Sequence, residues 1–256
     1  MIEVEGLEKR FDEVLAVGGV SLRVDAGEIL GLVGINGAGK TTLLRMLAGI
    51  LGVGAGSIRI AGHPMNPDAV EARRQLAFVP DTPMLFDTLT VNEHLLFIAE
   101  LYRVADPEPR IEALLAEFEL SDKRHSVASA LSRGMRQKLA ICCAFLHEPA
   151  ALLLDEPLTG LDPPGRRSMC EAIAARARDG AAVLVSSHQL EIVERVSTRF
   201  AILHRGQLRA TGTLDEIRAT LGEQVDGANL EELFLHATTH DAIADPRADP
   251  SEAADA

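Results

Sequence analysis

Positive charge is in short supply: 25 lysines and arginines stand against 38 aspartates and glutamates, a formal net charge of −13 at pH 7. Nucleic acids and anionic lipid surfaces favour basic proteins, so a general affinity for either is not expected, and no nucleic-acid partner is anticipated. Cysteine is scarce as well. The three present, Cys142, Cys143 and Cys170, show neither metal-ligand spacing nor a disulfide framework. Two of them adjoin in an apolar segment and read as small core-filling residues in a reducing compartment. Long apolar runs are missing too. A membrane-spanning helix needs about 20 mostly apolar residues, and the strongest stretch, Leu152–Leu154, meets Asp155 and Glu156 at once. The first residues, Met1–Phe11, lack the basic start and apolar stretch of a signal peptide. The expectation is a cytoplasmic protein that reaches a membrane only through a partner.

What is present is ordinary globular material. The 256 residues are 47% hydrophobic and 25% charged, enough to bury a sizeable core. β-rich runs occur at Ile2–Val4, Val20–Val24, Glu28–Val33, Ser57–Ala61 and Leu76–Val79, and again at Ala151–Leu154, Ala182–Val185 and Phe200–Leu203. Helical segments separate the later ones, one of them from Lys40 to about Ile50. Alternating strands and helices predict an α/β fold with a largely parallel sheet covered on both faces. Residues 84–148 change character. Leu95, Leu96, Ala99 and Leu101 are read on one apolar helix face and Ile111, Leu114, Leu115 and Phe118 on another, with Pro107 and Pro109 between. Residues 206–212 suggest a hairpin return, followed by short helices near 213–221 and 229–237. The expected organisation is one domain over 1–240, its core at about 1–83 and 149–240 and a helical unit at about 84–148. The tail, 241–256, is acidic, nearly free of large apolar residues and expected to be disordered. No internal repeat is found.

Two motifs carry chemistry. Gly34-Ile-Asn-Gly-Ala-Gly-Lys40-Thr41 fits G-x-x-x-x-G-K-[ST] between a predicted strand and a predicted helix. With only four lysines in the chain, such a match seldom arises by chance. Its glycines let backbone N–H groups close around a polyphosphate, and the helix N-terminus adds favourable potential for an anion. Gly34, Asn36, Gly37, Ala38, Gly39, Lys40, Thr41 and Thr42 are the expected ATP-binding residues. Lys40 would hold the β- and γ-phosphates, and the Thr41 hydroxyl would coordinate Mg²⁺. The second motif is the apolar strand ending in Asp155-Glu156. Taken alone, such a strand is more often just a strand meeting solvent; beside the glycine-rich loop it presents Asp155 to the metal shell and Glu156 to the attacking water.

Between these motifs, Leu131-Ser132-Arg133-Gly134-Met135, followed by Arg136-Gln137-Lys138, resembles the signature motif of ABC ATPases. Further matches follow in that family's order: Phe11, the Glu28–Gly34 approach, the region of Asp81, Leu161-Asp162 and His188. The resemblance covers residues 2 to 237. It implies a P-loop NTPase core, an N-terminal antiparallel β subdomain and a helical insertion carrying the signature. By the same resemblance Phe11 would stack on adenine, although an ordinary core phenylalanine is the alternative. His188 would contact the γ-phosphate and act in catalysis with Glu156, while Asp155, Thr41 and Asp81 would serve the metal. Leu131, Ser132, Gly134 and Met135 would face the ATP of a second cassette, and Asp162 would belong to a loop crossing the interface.

The implied cofactors are ATP and Mg²⁺. The implied partners are a second cassette, identical or paralogous, and a separate transmembrane permease subunit that holds this chain on the inner face of the membrane. Two positions depart from the family pattern: Arg133 replaces a glycine, and Asp81 stands where many relatives have glutamine. Ser-Arg-Gly-Met-Arg-Gln-Lys and Val-Pro-Asp resemble cassettes that drive exporters. Leu85, Phe86 and Leu89 would suit a dock for a permease helix or, equally, ordinary packing. The rival readings are a soluble ABC ATPase in a cofactor-assembly scaffold and a nucleotide-gated module with low turnover.

Overall fold

The computed structural model describes residues 1–221 and 227–239, so the tail 241–256 lies outside the described residues. Alternating apolar residues first build a hairpin from β1 (Ile2–Phe11) and β2 (Val14–Val24), with Ile2, Val4, Leu7, Val17, Val20, Leu22 and Val24 buried. Both strands run well beyond the expected Ile2–Val4 and Val20–Val24. Charged residues such as Glu5, Glu8 and Lys9 masked them, and register shifts interrupt the period-two pattern. Gly6 and Gly19 lie beside these shifts at positive φ. After β3 (Ile29–Val33) and α1 (Lys40–Leu47), β4 (Ala55–Ile60) and β5 (His63–Pro64) complete an antiparallel sheet in the order β2-β1-β4-β5. Helix α1 stops short of Ile50. Its last turn is closed by Ala48, and Gly49 (φ 67°) takes the left-handed conformation that ends helices.

The chain continues through α2 (Val70–Arg74), β6 (Leu76–Val79), α3 (Val91–Tyr102), α4 (Pro107–Glu117) and α5 (Arg133–Phe145). It then runs through β7 (Ala151–Asp155), α6 (Pro163–Arg178), β8 (Ala182–Ser187), α7 (Leu190–Val196), β9 (Arg199–His204) and β10 (Gln207–Gly212). Helices α8 (Leu214–Leu221) and α9 (Leu230–Thr239) follow. The second sheet has the order β10-β9-β3-β8-β7-β6 and is parallel except for edge strand β10. That is the expected α/β class. Strands β3, β7 and β8 are buried along their whole length, which explains their continuous apolar sequences.

Helices α3, α4 and α5 pack together around Leu95, Ala99, Ile111, Leu114, Leu115, Phe118 and Phe145. Leu96 and Leu101 do not share the buried face expected of them; they are 41% and 62% exposed. On a 3.6-residue repeat Val91, Leu95 and Ala99 face inward, and residues 96 and 101 turn away. Thr90 caps α3 through a capping box in which Thr90 Oγ1 accepts from Glu93 N and Glu93 Oε2 accepts from Thr90 N. Replacing Thr90 by alanine should cost about 1 kcal/mol, read as a lowered urea midpoint with an unchanged slope.

Candidate nucleotide site

Strand β3 delivers the glycine-rich loop at its C-terminal end, and α1 begins at Lys40. Two glycines have a steric reason to be there. A Cβ on Gly34 would lie 2.6 Å from the Leu203 carbonyl oxygen, and one on Gly39 (φ 104°) 2.4 Å from that of Ala16. The loop is also braced from outside. Gly206, in the β9–β10 turn, donates its N–H to Ala38 O (2.9 Å) and accepts at its own carbonyl from Gly18 N (2.8 Å). Lys40 is folded onto the loop, its Nζ donating to Gly34 O (2.5 Å) and Ile35 O (3.2 Å). Burial lowers its pKa, and the carboxylates of Glu156 and Asp155 partly oppose this.

Parallel pairing of β7 with β8 sets the acids opposite two serines. Asp155 pairs with Ser186 in register. Ser186 Oγ donates to Asp155 Oδ1, while the buried Oδ2 has no hydrogen-bond partner among the described residues. The chain then turns sharply at Glu156, a non-glycine residue with φ 50°. Its N–H donates to Ser186 O (3.1 Å). Its carboxylate meets His188 Nδ1 (2.9 Å) at Oε1 and accepts from Ser187 Oγ (3.0 Å) at Oε2. Left-handed backbone at a residue without glycine's freedom is strain of the kind found at functional sites.

A cavity of about 610 Å³ is lined by Asn36, Gly37, Ala38, Gly39, Lys40, Thr41 and Thr42 and, across from them, by Asp81, Asp155, Glu156 and His188. Gly34 lies just beneath, through its carbonyl contact with Lys40. Val14, Leu15, Ala16, Ile35, Arg133, Thr159 and Arg205 complete the wall. The two departures from the family pattern, Asp81 and Arg133, therefore border one cavity. Asp81 Oδ1 is turned back to accept from Thr82 N (2.8 Å).

Other residues of the expected site stand apart. Phe11 is 44% exposed at the end of β1, with Lys9 Nζ 5.4 Å from its ring centroid, and it does not line the cavity. Leu131, Ser132, Gly134 and Met135 also lie outside the lining. Ser132 caps α5, accepting from Met135 N (3.3 Å), and a Cβ on Gly134 would lie 2.9 Å from Gly160 O. Asp162 caps α6, accepting from Gly165 N (3.1 Å). Ser186, Ser187, Thr159 and Arg205 belong to the site without having been expected there. Two hydroxyls ending an apolar core strand immediately before His188 were the available signal.

A second cavity, about 600 Å³, opens between β6, α3 and α5, and its apolar wall includes Met84, Leu85, Phe86, Phe97 and Ile98. Leu89 is not part of it. His94 anchors the segment before α3: its Nε2 accepts from Phe86 N (3.0 Å) and its Nδ1 faces Thr90 O (2.8 Å), which fixes the proton on Nδ1. His147 stacks on Tyr102 with ring centroids 3.7 Å apart, and burial pushes its pKa from 6.5 down to about 4. Arg45, His94, Cys143 and Tyr102 are the titratable groups lining the cavity with it. An unfolded chain would bind a proton that the native imidazole refuses between these values. The contribution is thus full above pH 6.5 and declines as the pH falls toward 4. Thermal unfolding across that window should show a shallower loss of Tm for His147→Phe than for the wild type.

Comparison with known proteins agrees with the geometry. A family model described as ABC transporter matches residues 17–159. The ABC-type transporter ATP-binding protein EcsA of Bacillus subtilis is 39% identical over 225 residues, covering 87% of this chain and 90% of that protein. Nod factor export ATP-binding protein I of Burkholderia thailandensis is 37% identical over 235 residues, covering 91% and 76%. A solved ATP binding subunit of an ABC transporter is 37% identical with a TM-score of 0.88, covering 93% of this chain and 99% of its own. A dimeric ATP-binding cassette in a post-hydrolysis state, bound to ADP and Pi, is 25% identical with a TM-score of 0.76, covering 84% and 99%. With its phosphate loop, its paired acids and these relatives, the chain belongs to the ABC transporter ATP-binding family and is an ATP-binding and ATP-hydrolysing subunit of that family.

Proposed function

We propose that this subunit powers an exporter by closing on ATP with a second cassette, and that Glu156 is the base of the hydrolytic step. The observation that carries the reading is the Glu156 carboxylate, which shares one cavity with Lys40 and is held 2.9 Å from His188. Lys40 and the loop N–H groups bind the phosphates, and Thr42 borders them. In the step itself the water oxygen bonds to the γ-phosphorus and the bond to the bridging oxygen breaks. Its electron pair leaves with ADP, and the water proton passes to Glu156. His188 steadies the γ-phosphate.

The residues present fit Mg²⁺. Asp155 Oδ2 is buried and without a hydrogen-bond partner among the described residues, and Asp155 and Thr41 line the same cavity. No group of three or more His, Cys, Asp or Glu side chains suited to a metal occurs among the described residues. Mg²⁺ keeps water and phosphate oxygens as most of its ligands, so few protein donors are required. Asp155 and Thr41 would hold it, with Asp81 available after turning from Thr82. When bound it neutralises charge developing on the phosphate oxygens.

Ser132, Gly134, Leu131 and Met135, displaced from this chain's own cavity, are placed to serve the ATP of a second copy or a paralogue. Asp162 belongs to the loop that meets that partner. Phe11, exposed at the end of β1 and paired with the cavity-lining Val14, becomes an adenine platform once ATP is bound. Among the described residues no helix is long and apolar enough to cross a membrane. Attachment to the inner face of a membrane is assigned to a permease subunit docking in the apolar cavity beside α3. Export as the direction is supported by the Nod factor export relative. Phe97→Asp, at a half-exposed wall position, should abolish co-purification of a co-expressed permease subunit while leaving ATP binding by the isolated chain unchanged. Undiminished co-purification would remove the dock from this cavity.

A further inference from the structure

The geometry points to Ser187 as a positioning residue that aims the Glu156 carboxylate, an inference that rests on Glu156 being the base. Ser187 is 2% exposed at the end of β8, next to His188. Its hydroxyl has one proton to give. Gln189 N donates to Ser187 Oγ (3.1 Å), which occupies an acceptor lone pair and leaves that proton directed to Glu156 Oε2 (3.0 Å). The other oxygen, Oε1, faces His188 Nδ1 (2.9 Å). Both oxygens of the base are therefore engaged, from the last residue of β8 and the one that follows it.

The two contacts are unequal. Ser187 is buried in a strand held in register on both sides, Val33 to Ser187 and Asp155 to Ser186. The His188 side chain is 51% exposed and borders the cavity. When His188 turns to the γ-phosphate, Oε1 is released to face water while Ser187 still holds Oε2. The serine thereby fixes which carboxylate oxygen receives the proton and stops the group, carried on a left-handed backbone, from rotating away. The preceding serine does the parallel task for the neighbouring acid, donating to Oδ1 of Asp155 and leaving the buried Oδ2 without a hydrogen-bond partner among the described residues.

The test is steady-state hydrolysis with Mg²⁺ by the full chain and by Ser187→Ala, Ser187→Thr and Glu156→Gln, with ATP affinity and Tm measured for each. Ser187→Ala is expected to lower kcat by about 10–100-fold, the scale of a hydrogen bond to a charged group, with KM, ATP affinity and Tm near wild type. Ser187→Thr, which keeps the hydroxyl, is expected to recover most of kcat. On a Glu156→Gln background the alanine change should have no further effect. Equal loss of kcat in the alanine and threonine variants, or a fall in affinity and Tm that tracks the loss of rate, overturns the assignment. A stalled Glu156→Gln beside a Ser187→Ala turning over at the wild-type rate overturns this inference alone. Wild-type turnover by Glu156→Gln overturns the base reading and the inference with it.

Discussion

Glu156→Gln is expected to lower steady-state ATP hydrolysis by roughly two to four orders of magnitude, the usual contribution of a positioned general base. The substitution is close to isosteric. The glutamine carbonyl can still accept from Ser187, and its amide can still meet His188, so the sharp turn at residue 156 keeps its anchors. Only proton acceptance is lost. ATP affinity should stay within a few-fold of wild type, because Glu156 contacts the water and not the phosphates in this reading. With binding intact and hydrolysis stalled, the closed pair of cassettes should accumulate, seen as an ATP- and Mg²⁺-dependent dimer on size-exclusion chromatography. A variant that hydrolyses ATP at the wild-type rate would move the base elsewhere.

The second large effect is expected at Gly39. Its φ of 104° lies where an L side chain is strained, and a Cβ there would meet Ala16 O at 2.4 Å and Gly206 Cα at 3.5 Å. The nearest obstacle is backbone, so no flexible side chain can swing aside. Strain and overpacking together should cost about 2–5 kcal/mol in Gly39→Ala. For a domain of this size that lowers Tm by about 5–15 °C. ATP affinity should fall at least tenfold, because the displaced residue directly precedes Lys40. Gly37→Ala is the informative control. Gly37 also has positive φ, 82°, but a Cβ added there would meet no atom within 4 Å. It should carry only the conformational cost of about 1–2 kcal/mol. Equal Tm losses in the two variants would show that packing of the loop against Ala16 contributes nothing.

Legibility in the sequence followed chemical necessity. The phosphate loop could be read directly, because glycines, one lysine and a hydroxyl at this fixed spacing form a cradle that only a polyphosphate requires. The apolar strand ending in Asp155-Glu156 was legible because continuous burial followed by two acids is an unusual local pattern. Strands β1 and β2 were read too short. Their outward residues are charged, and register shifts near Gly6 and Gly19 break the alternation that a strand is recognised by. Leu96 and Leu101 were assigned to the buried face by hydrophobicity where angular position decides. Ser187 could not be found by type at all. A serine acquires its role only when β7 and β8 lie side by side in one register, and that relation joins residues about thirty positions apart. That Arg133 reaches the cavity while Leu131, Ser132, Gly134 and Met135 stay outside its lining is likewise a fact of three-dimensional placement, invisible along the chain.

The turn at Gly206, which ties Ala38 to Gly18, has a consequence for how the protein is made. Strand β3 sits in the sheet between β8 and β9, with Ile29 paired to Val183 and Leu30 to Arg199. The phosphate loop is synthesised well before the strands that flank β3 and the turn that pins it, about 150 residues further along the chain. A nascent chain ending before residue 206 holds the complete loop sequence without its supports. Closing contacts of such long sequence separation is slow. ATP recognition thus waits on the synthesis of β8, β9 and the turn at Gly206, and the nucleotide can reward only a chain that already contains them.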